Sequence, residues 1–351
     1  MRKLLLFALL LFPAIFVCCQ TEIDSLVKEL NQHPQQDTVR YFLLKKISFQ
    51  YSFTDPNKGV EAADAAIELA KRLNSNIKLA GGYANKATNF HKLGRDSEAL
   101  ALYTIAANLH LSEDYKKGAA NAYFNMSYVY FDIGNYVMAI NYELKSLDLY
   151  KELNLSADEA DVYNNVANSY MRMDDYVSAL KNFFRALDIY QQLDMQESKA
   201  LVLSNIGMAY HELADSAKAY MYYQQALKID EQNGNKKNLA HDYQHIGVLY
   251  DDAKKYSKAL SYYQKALALN KDIKDDREIA SNMVNMALTY NELKDFSSAY
   301  ENINAALNIY KVFTDEYNTS ALLNEKGKLF ANCSLYFLNE EGISSHDRYS
   351  T

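Results

Sequence analysis

One register constrains this chain more than any other feature. Six hexapeptides, NKATNF, NMSYVY, NVANSY, NIGMAY, HIGVLY and NMALTY, start at positions 85, 125, 165, 205, 245 and 285, so one pattern returns every 40 residues without a slip. An Ala follows each of them, at 99, 139, 179, 219, 259 and 299, and opens a second block such as ALKNFFRALDIY, with apolar and small residues at helical spacing. Units repeated at this period cannot bury an apolar face alone and must stack on their neighbours, which makes the chain an array. Short polar turns such as Gly94-Arg95-Asp96, Gly134-Asn135 and Asp174-Asp175 separate the two blocks, with Gly and Asx residues ending one helix and capping the next. Each unit therefore reads as a hairpin of two antiparallel helices.

In the fourth hairpin Tyr163, Ala167 and Tyr170 fall at i, i+4 and i+7, one stripe of a helix, and Ala179, Phe183 and Ala186 answer them from the second helix. The third hairpin places Tyr123, Ser127, Tyr130, Ala139 and Ser146 in matching slots. A weaker copy upstream has Asp55-Pro56 starting a helix and Gly59-Val60 in the Ala-Leu slot. The order of large, small and aromatic residues resembles the tetratricopeptide repeat over residues 39–316, as seven full hairpins. EKGKLF at 325–330 begins an incomplete further unit. Two departures stand out: Tyr or Leu replaces the usual Trp, and the Pro that ends the second helix is missing. Without it the helix runs about one turn further, which absorbs the excess of 40 over the common repeat length of roughly 34 residues. The resemblance implies an all-α, right-handed superhelical solenoid of about 16 antiparallel helices. It also implies a non-enzymatic scaffold that binds a protein or an extended peptide in its concave groove.

Asn165 lies two residues, about 200°, from Tyr163 and so points away from the hairpin's own partner helix, onto the inner face. The same slot holds Asn85, Asn125, Asn205, His245 and Asn285. An amide offers a donor and an acceptor and can pair with a peptide backbone without reading its sequence. In related superhelical arrays the matching asparagines hold bound peptide, and the resemblance implies that role here. The residues alone equally allow amides that bond neighbouring repeats and fix the solenoid's geometry. Other groove slots vary from unit to unit, as a specificity surface does. Phe124, Tyr128 and Phe131 are candidates for an apolar anchor, with Asn168 and Arg172 following in the next unit. Asp251, Asp252 and Glu292 give the C-terminal half an acidic cast that favours a basic or amine-bearing segment. Lys92 and Arg172 are the only groove cations expected, which argues against a carboxylate clamp.

Catalytic signals are weak. His241 and His245 flank Asp242 at i and i+4, but Asp stands where the metallopeptidase helix needs Glu, and both histidines occupy ordinary repeat slots. Cys333 reads as a small buried residue rather than a nucleophile. Neither an enzyme, a metal nor a cofactor is expected. A net charge of −7 with no basic run argues against nucleic acid as a partner. At the N-terminus, Arg2 and Lys3 precede an apolar run from Leu4 to Val17, too short to span a bilayer of roughly 30 Å. It reads as an export signal over residues 1–19, or as a lipoprotein signal with Cys18 or Cys19 carrying the anchor, and either places the protein in a bacterial periplasm or envelope. Residues 20–38 and 317–351 read as capping segments, the latter ending in a frayed tail. An alternative function is the sensory region of a membrane-associated histidine kinase or transcription regulator that lacks its output domain.

Overall fold

The computed structural model describes residues 14–312, with side chains from residue 22 onward. The segment 1–13, the EKGKLF motif and Cys333 lie outside the described residues, as do the side chains of Cys18 and Cys19. All regular structure among the described residues is helical. The chain divides into two compact units, Met1–Ile189 and Tyr190–Thr351.

In the first unit, α1 (Ala14–Gln32) precedes α2 (Thr38–Tyr51), α3 (Pro56–Arg72), α4 (Asn76–Lys92), α5 (Asp96–Ser112), α6 (Lys116–Asp132), α7 (Tyr136–Glu152) and α8 (Ser156–Met171), and α9 (Tyr176–Gln192) begins. The second unit contains α10 (Gln196–Glu212), α11 (Ser216–Asn233), α12 (Lys236–Asp252), α13 (Tyr256–Ile273), α14 (Asp276–Glu292) and α15 (Phe296–Val312). Even-numbered helices from α2 onward are the leading helices of the hairpins. Consecutive helices pack on one another from α1 to α8 and again from α10 to α15. Successive leading helices also touch: α2 with α4, α4 with α6, α10 with α12, α12 with α14. The leading helices of each unit thus lie side by side along one face. No helix among the described residues is long and apolar enough to cross a membrane.

The turns explain why the register never slips. Left-handed residues recur every 20 positions: Asn74, Gly94, Asp114, Gly134, Asn154, Asp174, Asp194, Ala214, Gly234, Lys254, Lys274 and Lys294. At each the following amide bonds back to a carbonyl five residues earlier, as in Arg95 N to Phe90 O at 2.8 Å and Asp215 N to Tyr210 O at 2.9 Å. This is the Schellman closure of a helix end. In several turns that following residue also caps the next helix, with Asn135, Asp215 and Asp275 side chains accepting from the amide three residues on. A 17-residue helix such as α4 or α5 plus a three-residue turn gives 20, and two give the repeat.

Close packing follows the small residues. Ala99, Ala139, Ala179, Ala219, Ala259 and Ala299 are fully buried, and so are Ala106, Ser146, Ala186, Ala226, Ala266 and Ala306 seven residues further on. Ser146 satisfies its hydroxyl by donating to Ala120 O at 2.9 Å. Between them, the trailing helices bury Tyr103, Phe183, Tyr223, Tyr263 and Ile303 in one recurring slot. Beside this core, half-buried tyrosines pair across each hairpin: Tyr130 stacks on Tyr142, Tyr210 on Tyr222 and Tyr250 on Tyr262, at centroid distances of 5.3, 5.5 and 5.4 Å. At the N-terminal end, α1 packs on α2, Ile23 is fully buried, and the Arg40 guanidinium donates to Leu30 O and His33 O, closing the end of α1.

Candidate interaction surface

The ladder of amides divides in two. Asn85 donates through Nδ2 to Lys45 O at 2.7 Å, and Asn165 donates to Tyr128 Oη at 2.9 Å, so both tie one leading helix to the one before it. His245 lays its ring flat on Tyr223 at 5.1 Å, and burial, with His241 and His211 nearby, pulls its pKa down to about 4, leaving a neutral imidazole. Asn125, Asn168 and Asn285 make no side-chain hydrogen bond among the described residues. Asn205 lines a cavity of the second unit. The slot continues into the first hairpin, where position 45 is Lys.

The three rings considered as an anchor do not converge. Phe124 meets Tyr128 edge-on at 5.0 Å, whereas Phe131 turns to Tyr136 at 5.3 Å. Tyr128 is 46% exposed and Tyr136 is also covered by Arg172, whose Nε reaches its hydroxyl at 3.3 Å. The acidic slots of the second unit are engaged as well. Thr289 donates to Asp251 at 2.8 Å, and His211 Nε2 lies 2.6 Å from Asp252 Oδ2. Among the described residues, no group of three or more His, Cys, Asp or Glu side chains is arranged to hold a metal ion, the His241-Asp242-His245 run included.

Two adjoining cavities open on the leading-helix face of the first unit. One of 320 Å³ lies between α2, α4 and α6 and is lined by Phe42, Lys45, Asn85, His110 and Asn125 among others. The other, of 270 Å³, is lined by Phe49, Lys92, Tyr128 and Asp132 and shares Ala84, Asn85 and Asn125 with the first. The second unit has a cavity of 240 Å³ between α10, α11 and α12, lined by Leu201, Ser204, Asn205, Asp230, Asp242 and His245 among others. The first and third cavities adjoin the same slot of the trailing helices. Position 150 in the trailing-helix series is Tyr, as are 190 and 310, and these rings are buried. At 110 and 230 the same slot carries His and Asp, which line the two cavities.

The cavities carry opposite charge. Lys45 has no ion-pair partner among the described residues, and burial lowers its pKa. It also adds to the burial that takes His110 down to about 4, and His110 Nδ1 is buried without a hydrogen-bond partner. In the second unit burial raises Asp230 to about 6 and Asp242 to about 8, opposed by bonds from Asn238 and Ser204 respectively. Sequence reasoning passed over Lys45, His110 and Asp230. Their signal was present as departures from the consensus of a slot, visible once all hairpins are aligned at 40 residues.

The tetratricopeptide repeat family model matches residues 158–232 and 198–272. No curated protein matches the sequence. Among solved structures, aspartyl phosphate phosphatase F from Bacillus subtilis is similar with a TM-score of 0.61 at 15% identity, over 88% of each chain. A Rap protein complexed with competence and sporulation factor gives 0.55 at 14% identity, over 90% of this chain and 98% of that one. A signal transduction ATPase with numerous domains and a tetratricopeptide repeat sensor, from Pyrococcus horikoshii, gives 0.52 at 17% identity, over 92% of this chain and 54% of that one. At such identities the likeness is one of fold. Tetratricopeptide repeats are matched over residues 158–272, and the described hairpins on either side keep the same 40-residue frame, so the fold is an all-α array of tetratricopeptide-like hairpins.

Proposed function

We propose that the protein is a non-enzymatic scaffold that binds an extended peptide segment along the leading-helix face of its first unit. The observation that carries this reading is the pair of adjoining cavities sharing Ala84, Asn85 and Asn125, beside an Asn125 amide that no other described side chain uses. An extended strand laid across α2, α4 and α6 meets a backbone-pairing amide at Asn125, aromatic surface at Phe42 and Phe49, and cations at Lys45 and Lys92. Asn85 and Asn165 serve the array instead, holding neighbouring helices in the register that keeps the face open. The Lys45 ammonium favours a peptide with an acidic side chain or a terminal carboxylate at that end. The export expected from residues 1–19 belongs to the same proposal, and puts the partner in the cell envelope.

The test is selection from a random-peptide phage library on the full chain, followed by affinity measurement with the selected peptides. Asn125→Ala removes one or two backbone bonds at about 0.5–1.5 kcal/mol each, hence an affinity loss between roughly twofold and 150-fold, without loss of helicity. Lys45→Ala weakens the acidic peptides selectively. Selected peptides whose affinity is untouched by both substitutions refute the site.

A further inference from the structure

The cavity of the second unit holds more acid than the fold requires. In the next hairpin the slots of Asp230 and Asp242 are filled by Asn270 and Asn282, buried to 2% and 0% exposure, so neutral amides serve the packing there. At the slot of 242 the preceding hairpins use Val162 and Val202, also fully buried. Two carboxyl groups in one cavity cost more stability than valines, or than the amides Asn270 and Asn282, which leave Nδ2 and Oδ1 respectively unpartnered but carry no charge to desolvate or repel. Asp230 and Asp242 are each 1% exposed.

Their hydrogen bonding is incomplete. Ser204 Oγ donates to Asp242 Oδ1 at 2.9 Å, and Asn238 Nδ2 reaches Asp230 Oδ1 at 3.4 Å. Asp242 Oδ2 is buried with no partner at all. The imidazole of His245 beside it is neutral and stacked on Tyr223, so it supplies no countercharge. His241 Nδ1 faces Glu278 at 3.9 Å instead. Leu201, 48% exposed, forms an apolar edge at the cavity. A volume of 240 Å³ exceeds that of several waters at about 30 Å³ each and accommodates a charged head group with a short alkyl stem.

We infer that this cavity is a subsite for a primary alkylammonium group, with Asp242 and Asp230 as its counterions, Ser204 and Asn238 orienting the carboxylates, and Leu201 against the alkyl stem. An ammonium donates in three directions, which suits carboxylates arriving from α11 and α12. While the cavity is empty, burial keeps the Asp242 carboxyl largely protonated at neutral pH, and the arriving cation replaces that proton as the neutralising charge. The ammonium has two sources, a free amine or the lysine of a bound peptide. Only the second rests on the scaffold reading above.

The experiment titrates the full chain with n-butylammonium chloride, with n-butanol as the neutral isostere and with an end-blocked Gly-Lys-Gly tripeptide, by calorimetry and amide NMR shifts. Saturable binding of n-butylammonium or of the tripeptide, with none of n-butanol, is expected, and which cation binds identifies the source. Asp242→Asn weakens it at least about tenfold while preserving the fold, as the amide at Asn282 indicates. Should Asp242→Asn fail to fold, Asp230→Asn, which copies the amide at Asn270, makes the same test. Absence of saturable binding by either cation, equal binding of n-butanol, or unchanged affinity in both variants overturns the subsite. None of those results touches the first-unit face, which contains neither aspartate.

Discussion

Glu143 occupies the trailing-helix slot that holds Tyr103, Phe183, Tyr223, Tyr263 and Ile303 in other hairpins, and it is just as buried, at 2% exposure. Ser169 Oγ, from the next helix, donates toward both carboxylate oxygens at 3.2 and 3.3 Å. Burial outweighs that bond and pushes the carboxyl from its ordinary 4.5 up to about 8. In the unfolded chain the proton leaves near 4.5, whereas in the folded chain it stays until about 8. Between those values the native state binds the extra proton, so stability falls as pH rises, by about 1.4 kcal/mol per unit, and is flat on either side. The whole window amounts to roughly 5 kcal/mol as an upper bound, since water entering the site relieves part of the burial. Glu143→Gln keeps the shape and still accepts from Ser169, but cannot ionise. The variant is therefore expected to be more stable than the parent by roughly 3–5 kcal/mol near pH 8, and by less than about 1 kcal/mol near pH 5. Urea unfolding followed by circular dichroism at both pH values gives the difference, and hydrogen exchange of α7 amides localises it, because repeat arrays open in segments. A difference of the same size at both pH values, or a less stable variant at both, refutes the reasoning.

Three further expectations concern packing and turns. Ala214 is exposed with φ +59°, so Ala214→Gly relieves left-handed strain and raises stability by roughly 0.5–1 kcal/mol after the added unfolded-state entropy, measurable as a higher urea midpoint. Gly207 faces Tyr223 so closely that an added Cβ lies 2.6 Å from the ring; Gly207→Ala is expected to cost about 1–3 kcal/mol in the same assay. Asn85→Ala removes the bond to Lys45 O and costs about 1 kcal/mol, while Asn285→Ala, whose amide pairs with nothing described, changes the midpoint by less than about 0.5 kcal/mol.

The repeat length, the two helices per unit and the buried small residues at 99, 139, 179, 219, 259 and 299 were all written in the sequence, because they depend on periodicity within single helices. The left-handed residues were legible only in part. Gly94, Gly134 and Gly234 announce their turns, but Ala214 and Lys254 adopt the same conformation with no compositional signal, imposed by the helices on either side. Spacing alone could set the amide ladder on one face of the leading helices. Which amides remain available was decided by the structure, since the partners of Asn85 and Asn165 lie 40 and 37 residues away, on another helix, and one of them is a tyrosine hydroxyl that only that hairpin presents. The cavities belong to the same category. A His at 110 or an Asp at 230 is only one residue in a strip of sequence, and it becomes part of a cavity wall once leading helices 40 residues apart are brought beside it.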